Sequence, residues 1–188
     1  MLTSRVAPNA AAPGRLHNLS ALPEAEAIKL FYHQAQEKGI HGAAALSKAD
    51  VQAFTKLVGG HPLAIKLASG LLRTFSPIDS QTRLQQGKGG TVQEMYDHVY
   101  RQVWETLEDA AQILLLAMAN VGQAEAGGDY LLEISALTEN EFQVAVETLN
   151  QHSLLETRGI FEKRLYGIHR LTETFLQTDI IGWEPPEI

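Results

Sequence analysis

The stretch "VGGHPLAIKLASGLL", residues 58–72, decides how the rest of the chain is read. Ala64, Leu67, Ala68, Leu71 and Leu72 recur three and four residues apart, the period of a helix with one apolar side. Phe75 continues that pattern, so a helix is expected from Pro62 to about Phe75. Proline suits a first turn, where its missing N–H costs nothing. The glycine pair before it stops whatever precedes. Two glycines, a histidine and a proline at a helix start fit ordinary punctuation, and they also fit a surface that meets a nucleotide.

Upstream of that stretch, a helix is expected from Pro23, with Glu24 and Glu26 at its positive end and Gly39 after its last turn. Its apolar side is Ala27, Ile28, Leu30, Phe31 and Ala35. A second helix starts near Ser47, with Asp50 three residues on resembling a capping box in acidic form, and ends at Gly59-Gly60. Downstream, "SPIDSQTRLQQGKGG" (76–90) breaks the apolar period and is expected to be a loop with at most one helical turn.

From Thr91 a second unit begins. Met95, Val99, Val103 and Leu107 step by four beside Tyr96, Tyr100 and Trp104. Asp109 is placed to cap "AAQILLLAMANV", a helix apolar nearly all round and so central; the run Ile113 to Ala119 belongs in a core. Gly122, Gly127 and Gly128 mark a loop, "DYLLEIS" a short helix, and "TENE" (138–141) a capping box that opens a helix through His152. "SLLETRG" and "RLYGIH" read as two strands about a turn, and "LTETFLQTDII" as a last helix. The expected fold class is therefore mainly α: a small helical bundle followed by a winged-helix domain with a short β-hairpin wing. The expected boundaries are a remnant at 1–15, a helical unit at 16–77, a linker at 78–91, the winged helix at 92–182 and a tail at 183–188.

Composition narrows the function classes. The 188 residues are 45% hydrophobic and contain no cysteine, which allows a core and excludes disulfides and thiolate metal sites. No membrane span and no signal peptide are read, so a cytoplasmic location is expected. The seven histidines lack the spacing of a helical metal site. There is no Gly-x-Ser-x-Gly elbow and no G-x-x-x-x-G-K-[ST] loop, and "GKGGT" (87–91) lacks the strand and helix that a phosphate loop needs. No catalytic residue and no metal site are assigned.

Charge is uneven. Residues 1–88 hold ten Lys/Arg and five Asp/Glu, whereas residues 89–188 hold five and seventeen. Between Arg101 and Arg158 there is no Lys or Arg. The helix that would read DNA, 138–151, carries Glu139, Glu141 and Glu147. Carboxylates repel phosphates, and without cations there is no counterion release to drive binding. Arg158, Lys163 and Arg164 on the wing offer only weak phosphate contacts, so DNA is not the expected partner.

"LVGGHPLAIKLASGLL" resembles the Gly-x-Pro segment of the NB-ARC and related STAND signalling ATPases, matched here by Gly60, His61, Pro62, Leu63 and Ala64. In order along the chain, "LTSR" (2–5) is similar to the strand end that carries the sensor arginine of that family. "LHNLSALPEAEAIKLF" resembles the first helix of its helical domain. "VYRQVWETLEDAAQILLLAMA" resembles the start of its winged-helix domain, and "SLLETRGIFEKRLYGIHRLTETFL" its end. The resemblance implies that Pro62 packs on the adenine, that His169 reaches the phosphates of ADP, and that Arg5 contacts the terminal phosphate of ATP. Where the family has Met-His-Asp, this chain reads Ile168-His169-Arg170. It also implies a P-loop domain upstream as partner, sensor repeats downstream, and a regulatory ADP/ATP switch that is not an enzyme by itself. The alternative is a free-standing winged-helix regulator that binds a protein partner or DNA.

Overall fold

Local signals at the helix starts set the architecture. The computed structural model describes residues 21–40, 43, 46–87, 90–121, 125–159 and 164–182. Helix α1 (Glu24–Glu37) follows Pro23, and Gly39 takes the left-handed conformation just past its end, with φ +62°. Helix α2 (Lys48–Leu57) opens on the reciprocal Ser47/Asp50 capping box. Helix α3 (Pro62–Leu71) has proline at its first position, and its expected run to Phe75 stops four residues early. Phe31 and Phe54 meet edge to face at 5.2 Å beneath α3, whose Ile65, Leu67 and Leu71 are fully buried.

Most of the expected 78–91 loop is instead helix α4 (Pro77–Gln86). Ser76 accepts the Asp79 backbone N–H at its start and Pro77 takes the first position. Its apolar content misled the reading. Ile78 is 77% exposed, and Leu84 alone among its large apolar residues is buried. Polar contacts dock it. The Arg83 guanidinium lies over the Phe75 ring at 3.9 Å and donates to Gln102 at 2.9 Å, while the His98 ring contacts the Arg83 carbonyl at 2.7 Å.

Helix α5 (Val92–Trp104) starts at a Thr91/Glu94 capping box. Helix α6 (Asp109–Asn120) has Glu108, not the expected Asp109, at its cap position, and Asp109 is its first helical residue. Ile113, expected inside, is 42% exposed, whereas Leu114 and Leu115 are buried. Strand β1 (Glu125–Gly127) replaces part of the expected glycine loop. Helix α7 (Gly128–Ser135) and helix α8 (Glu139–Gln151) follow, the latter on the expected Thr138/Glu141 box. Strands β2 (Glu156–Arg158) and β3 (Leu165–Gly167) precede helix α9 (Arg170–Phe175), which passes into a π-helical turn at Leu176–Ile180.

The sheet order is β1-β3-β2, all antiparallel, with Tyr166 facing Ala126 on one side and Thr157 on the other. Alternation puts Tyr166 inward, where its ring meets Phe142 of α8 edge to face at 6.0 Å. Helix α6 with β1, α7, α8, β2 and β3 is the winged helix, and α1 to α4 form the helical bundle beside it. One apolar cluster runs through both. The chain is thus mainly α with a small hairpin sheet. No described helix is long and apolar enough to cross a membrane.

Candidate functional site

Helix α3 begins where it does because of its glycines. Gly59 and Gly60 both have positive φ, +61° and +69°, a conformation that costs glycine little. The Leu22 N–H donates to the Gly60 carbonyl at 2.9 Å, and a Cβ on Gly60 would lie 3.0 Å from the Leu22 carbonyl oxygen. The pair therefore serves a close backbone crossing. It also sets His61 in extended backbone at the cap position, with no side-chain cap bond, and leaves Pro62 exposed at the first helical residue.

One orphan N–H of that first turn, that of Ala64, meets α5. The Tyr96 hydroxyl takes a hydrogen bond from the Ala64 backbone, which favours its anionic form; burial is the larger effect and raises its pKa. The His61 ring lies 6.0 Å from that of Tyr96, which lies 6.4 Å from Tyr100 one turn on. Tyr100 stacks on Phe175 of α9 at 5.4 Å, and its hydroxyl accepts from Thr172 at 3.0 Å in a buried setting. Burial drives the Tyr100 hydroxyl far above the ordinary phenol range, so it stays neutral.

His169 stands at the cap of α9, three residues before Thr172. Its Nδ1 accepts the Leu171 N–H at 3.1 Å, and its carbonyl accepts the Glu173 N–H at 3.1 Å. The ring thus takes the capping role that an aspartate or serine would otherwise fill. Accepting at Nδ1 places the ring hydrogen of the neutral form on Nε2, a donor on an exposed residue. Pro62 and His169, 107 residues apart, are both exposed and both sit at helix starts. Each of the two helices docks on α5 through the Tyr96–Tyr100–Thr172 chain.

Arg5, the third expected contact, lies outside the described residues, as does Lys163 of the wing. Arg158 pairs with Glu125 at 2.7 Å and with Glu156 at 3.1 Å, so its charge is already engaged by carboxylates. Among the described residues, no group of three or more His, Asp or Glu side chains could hold a metal ion. No protein-family model and no curated protein matches the chain.

The tyrosine chain is the part that sequence reasoning did not assign. Its signal was present as Tyr96 and Tyr100 one turn apart, beside an apolar stripe that accounted for them as core. His152 is a second omission. It is 6% exposed, and its Nδ1 has no hydrogen-bond partner. It packs against Gly70 of α3, where a Cβ would lie 3.0 Å from that nitrogen. Burial, and secondarily the Arg73 cation, lower its pKa to about 4. Gly70, inside the helix expected over 62–75, was the available clue to a close approach.

Proposed function

We propose that this chain is the helical and winged-helix part of a STAND-type ATPase and acts as its ADP/ATP-dependent switch in signal transduction. It works in the cytoplasm and is not catalytic alone. The single observation that carries the reading is the placement of Pro62 and His169 at two exposed helix starts tied to one helix, α5, by the tyrosine chain. A proline ring is a rigid apolar plate suited to an adenine face. An Nε2–H is a donor suited to a phosphate oxygen, and a helix start adds positive potential.

One ligand held by both residues would keep the winged helix closed on an upstream P-loop domain. Exchange of ADP for ATP shifts the population to the open form, because the two nucleotides interact differently with the closed one. The phosphates and Mg²⁺ need that upstream domain, since phosphoryl transfer depends on a phosphate loop and metal ligands. Arg5 would contact the terminal phosphate of ATP, and downstream sensor repeats would supply the signal.

The test is nucleotide retention by the chain joined to its P-loop domain. His169→Ala and Pro62→Ala are each expected to speed ADP loss at least about tenfold, equal to about 1.4 kcal/mol, and His169→Ala to raise signalling without ligand. Unchanged ADP retention in both variants would overturn the assignment.

A further inference from the structure

The face of a winged helix that usually meets a polyanion is built here for the opposite charge. A cleft of about 890 Å³ opens between the start of α7, the start of α8 and strand β3. Tyr130, 50% exposed, and Leu165, 40% exposed, stand at its sides. The crossed Phe142 and Tyr166 rings form its floor. Gly128 keeps that floor open, because a Cβ there would already touch the Tyr166 ring at 3.3 Å. Asp129 and Glu139 stand on the rim, and Arg164 is the cation among the lining residues.

On the other flank of α8, a shallower cleft of about 490 Å³ is lined by Glu108, Asp109 and Glu141. Glu141 is held below the usual carboxylate range by its bonds from Thr138, so it remains charged. The first cleft thus combines exposed aromatic and aliphatic surface with a polar edge. Charge selects the occupant. Helices α7 and α8 carry five carboxylates and no Lys or Arg, which repels nucleic acid and anionic lipid alike.

We propose that this cleft docks a cationic amphipathic segment of a partner protein: a large apolar side chain seated between Tyr130, Leu165 and the Phe142–Tyr166 floor, with flanking Lys or Arg on Asp129 and Glu139. Apolar burial holds the segment, and the rim carboxylates set its orientation and reject acidic sequences. The proposal is independent of nucleotide binding, since neither Pro62 nor His169 lines this cleft.

The experiment is an NMR titration of the isotope-labelled chain with a Leu/Lys amphipathic peptide, its Leu/Glu counterpart and a random-sequence DNA duplex. The Leu/Lys peptide is expected to shift the amides of 127–132, 139–143 and 164–166, and to weaken as salt is added. Asp129→Lys with Glu139→Lys is expected to weaken it at least about tenfold. Gly127→Arg provides a second variant with little risk to folding, because a Cβ there meets nothing within 4 Å and φ is −72°. It should block the cleft by bulk and charge. Shifts confined to other surfaces, equal binding of the Leu/Glu peptide, DNA binding on these amides, or full binding by both folded variants would each overturn the proposal.

Discussion

Helix α3 meets the second half of the chain at both of its ends, and the two joints are built differently. At its start, the contact is a chain of neutral hydroxyls and stacked rings: Ala64 to Tyr96, Tyr100, Thr172 and Phe175. At its far end, Gly70 receives the buried His152 ring, and amides close the seam around it. Gln34 donates to Ser153 at 3.1 Å, Lys38 to Asn150 at 2.6 Å, and Arg73 to Gln151 at 2.7 Å. The first joint is held by hydroxyls and stacked rings, with the His61 ring at its outer edge. The second holds a buried imidazole near the Arg73 cation. One helix thus carries a joint held by hydroxyls and a joint that buries an imidazole, and the latter lies at the far end of α3 from Pro62.

Three changes separate these joints, beginning with the largest. Phe175→Ala removes the ring stacked on Tyr100 and leaves a cavity among buried neighbours, at a cost of about 3–5 kcal/mol. Chemical unfolding should show a lower midpoint, with α9 losing amide protection before α8.

Acid should open the other joint. The unfolded His152 takes up its proton near pH 6.5, whereas the folded one resists until about pH 4. Between those values the unfolded chain binds more protons, so stability falls as the pH is lowered through that window and is fully present above it. The gap is worth roughly 3 kcal/mol at about 1.4 kcal/mol per pH unit. The Arg73 cation, just past the end of α3, acts on the ring, so a further positive charge on the imidazole is opposed. Urea midpoints measured from pH 7 to pH 4 should drop in the natural protein and stay flatter in His152→Leu. Equal slopes would remove His152 as the cause.

Thr172→Val is the smallest of the three. It keeps the shape and deletes the donor to the Tyr100 hydroxyl, which costs about 1–2 kcal/mol because a buried oxygen loses its partner. The same loss is expected at pH 7 and pH 5, because the Tyr100 hydroxyl stays neutral across that range. A pH-dependent loss would contradict it.

Much of this architecture was legible. Capping boxes at Ser47/Asp50 and Thr138/Glu141 pointed to two helix starts, because such a signal depends only on neighbours in sequence. The wing strands were legible as short β-rich segments on either side of a turn. Helix α4 was not. Its ten residues hold almost no apolar period, and it is fixed by Arg83 on Phe75 and Gln102 and by His98 on the Arg83 carbonyl. Strand β1 was missed because three residues carry no period of their own and gain their pairing only from β3.

Of the candidate site, Pro62 and His169 were named from a resemblance, and their exposure and helix-start positions come from the fold. The cleft beside α8 is half legible. The absence of Lys and Arg from 102 to 157 is a fact of sequence, but the meeting of Tyr130, Phe142, Leu165 and Tyr166 is not.

By itself the sequence determined the helix starts, the amphipathic faces, the glycine stop before Pro62 and the acidic character of the second half. These follow from interactions within a few residues, or from composition. Tertiary structure decided that α4 is a docked helix, that Tyr96 and Tyr100 tie the start of α3 to α9, and that His152 is sealed against Gly70. Each of those depends on groups distant in the chain losing water together, and no local pattern encodes which distant surfaces will share that loss.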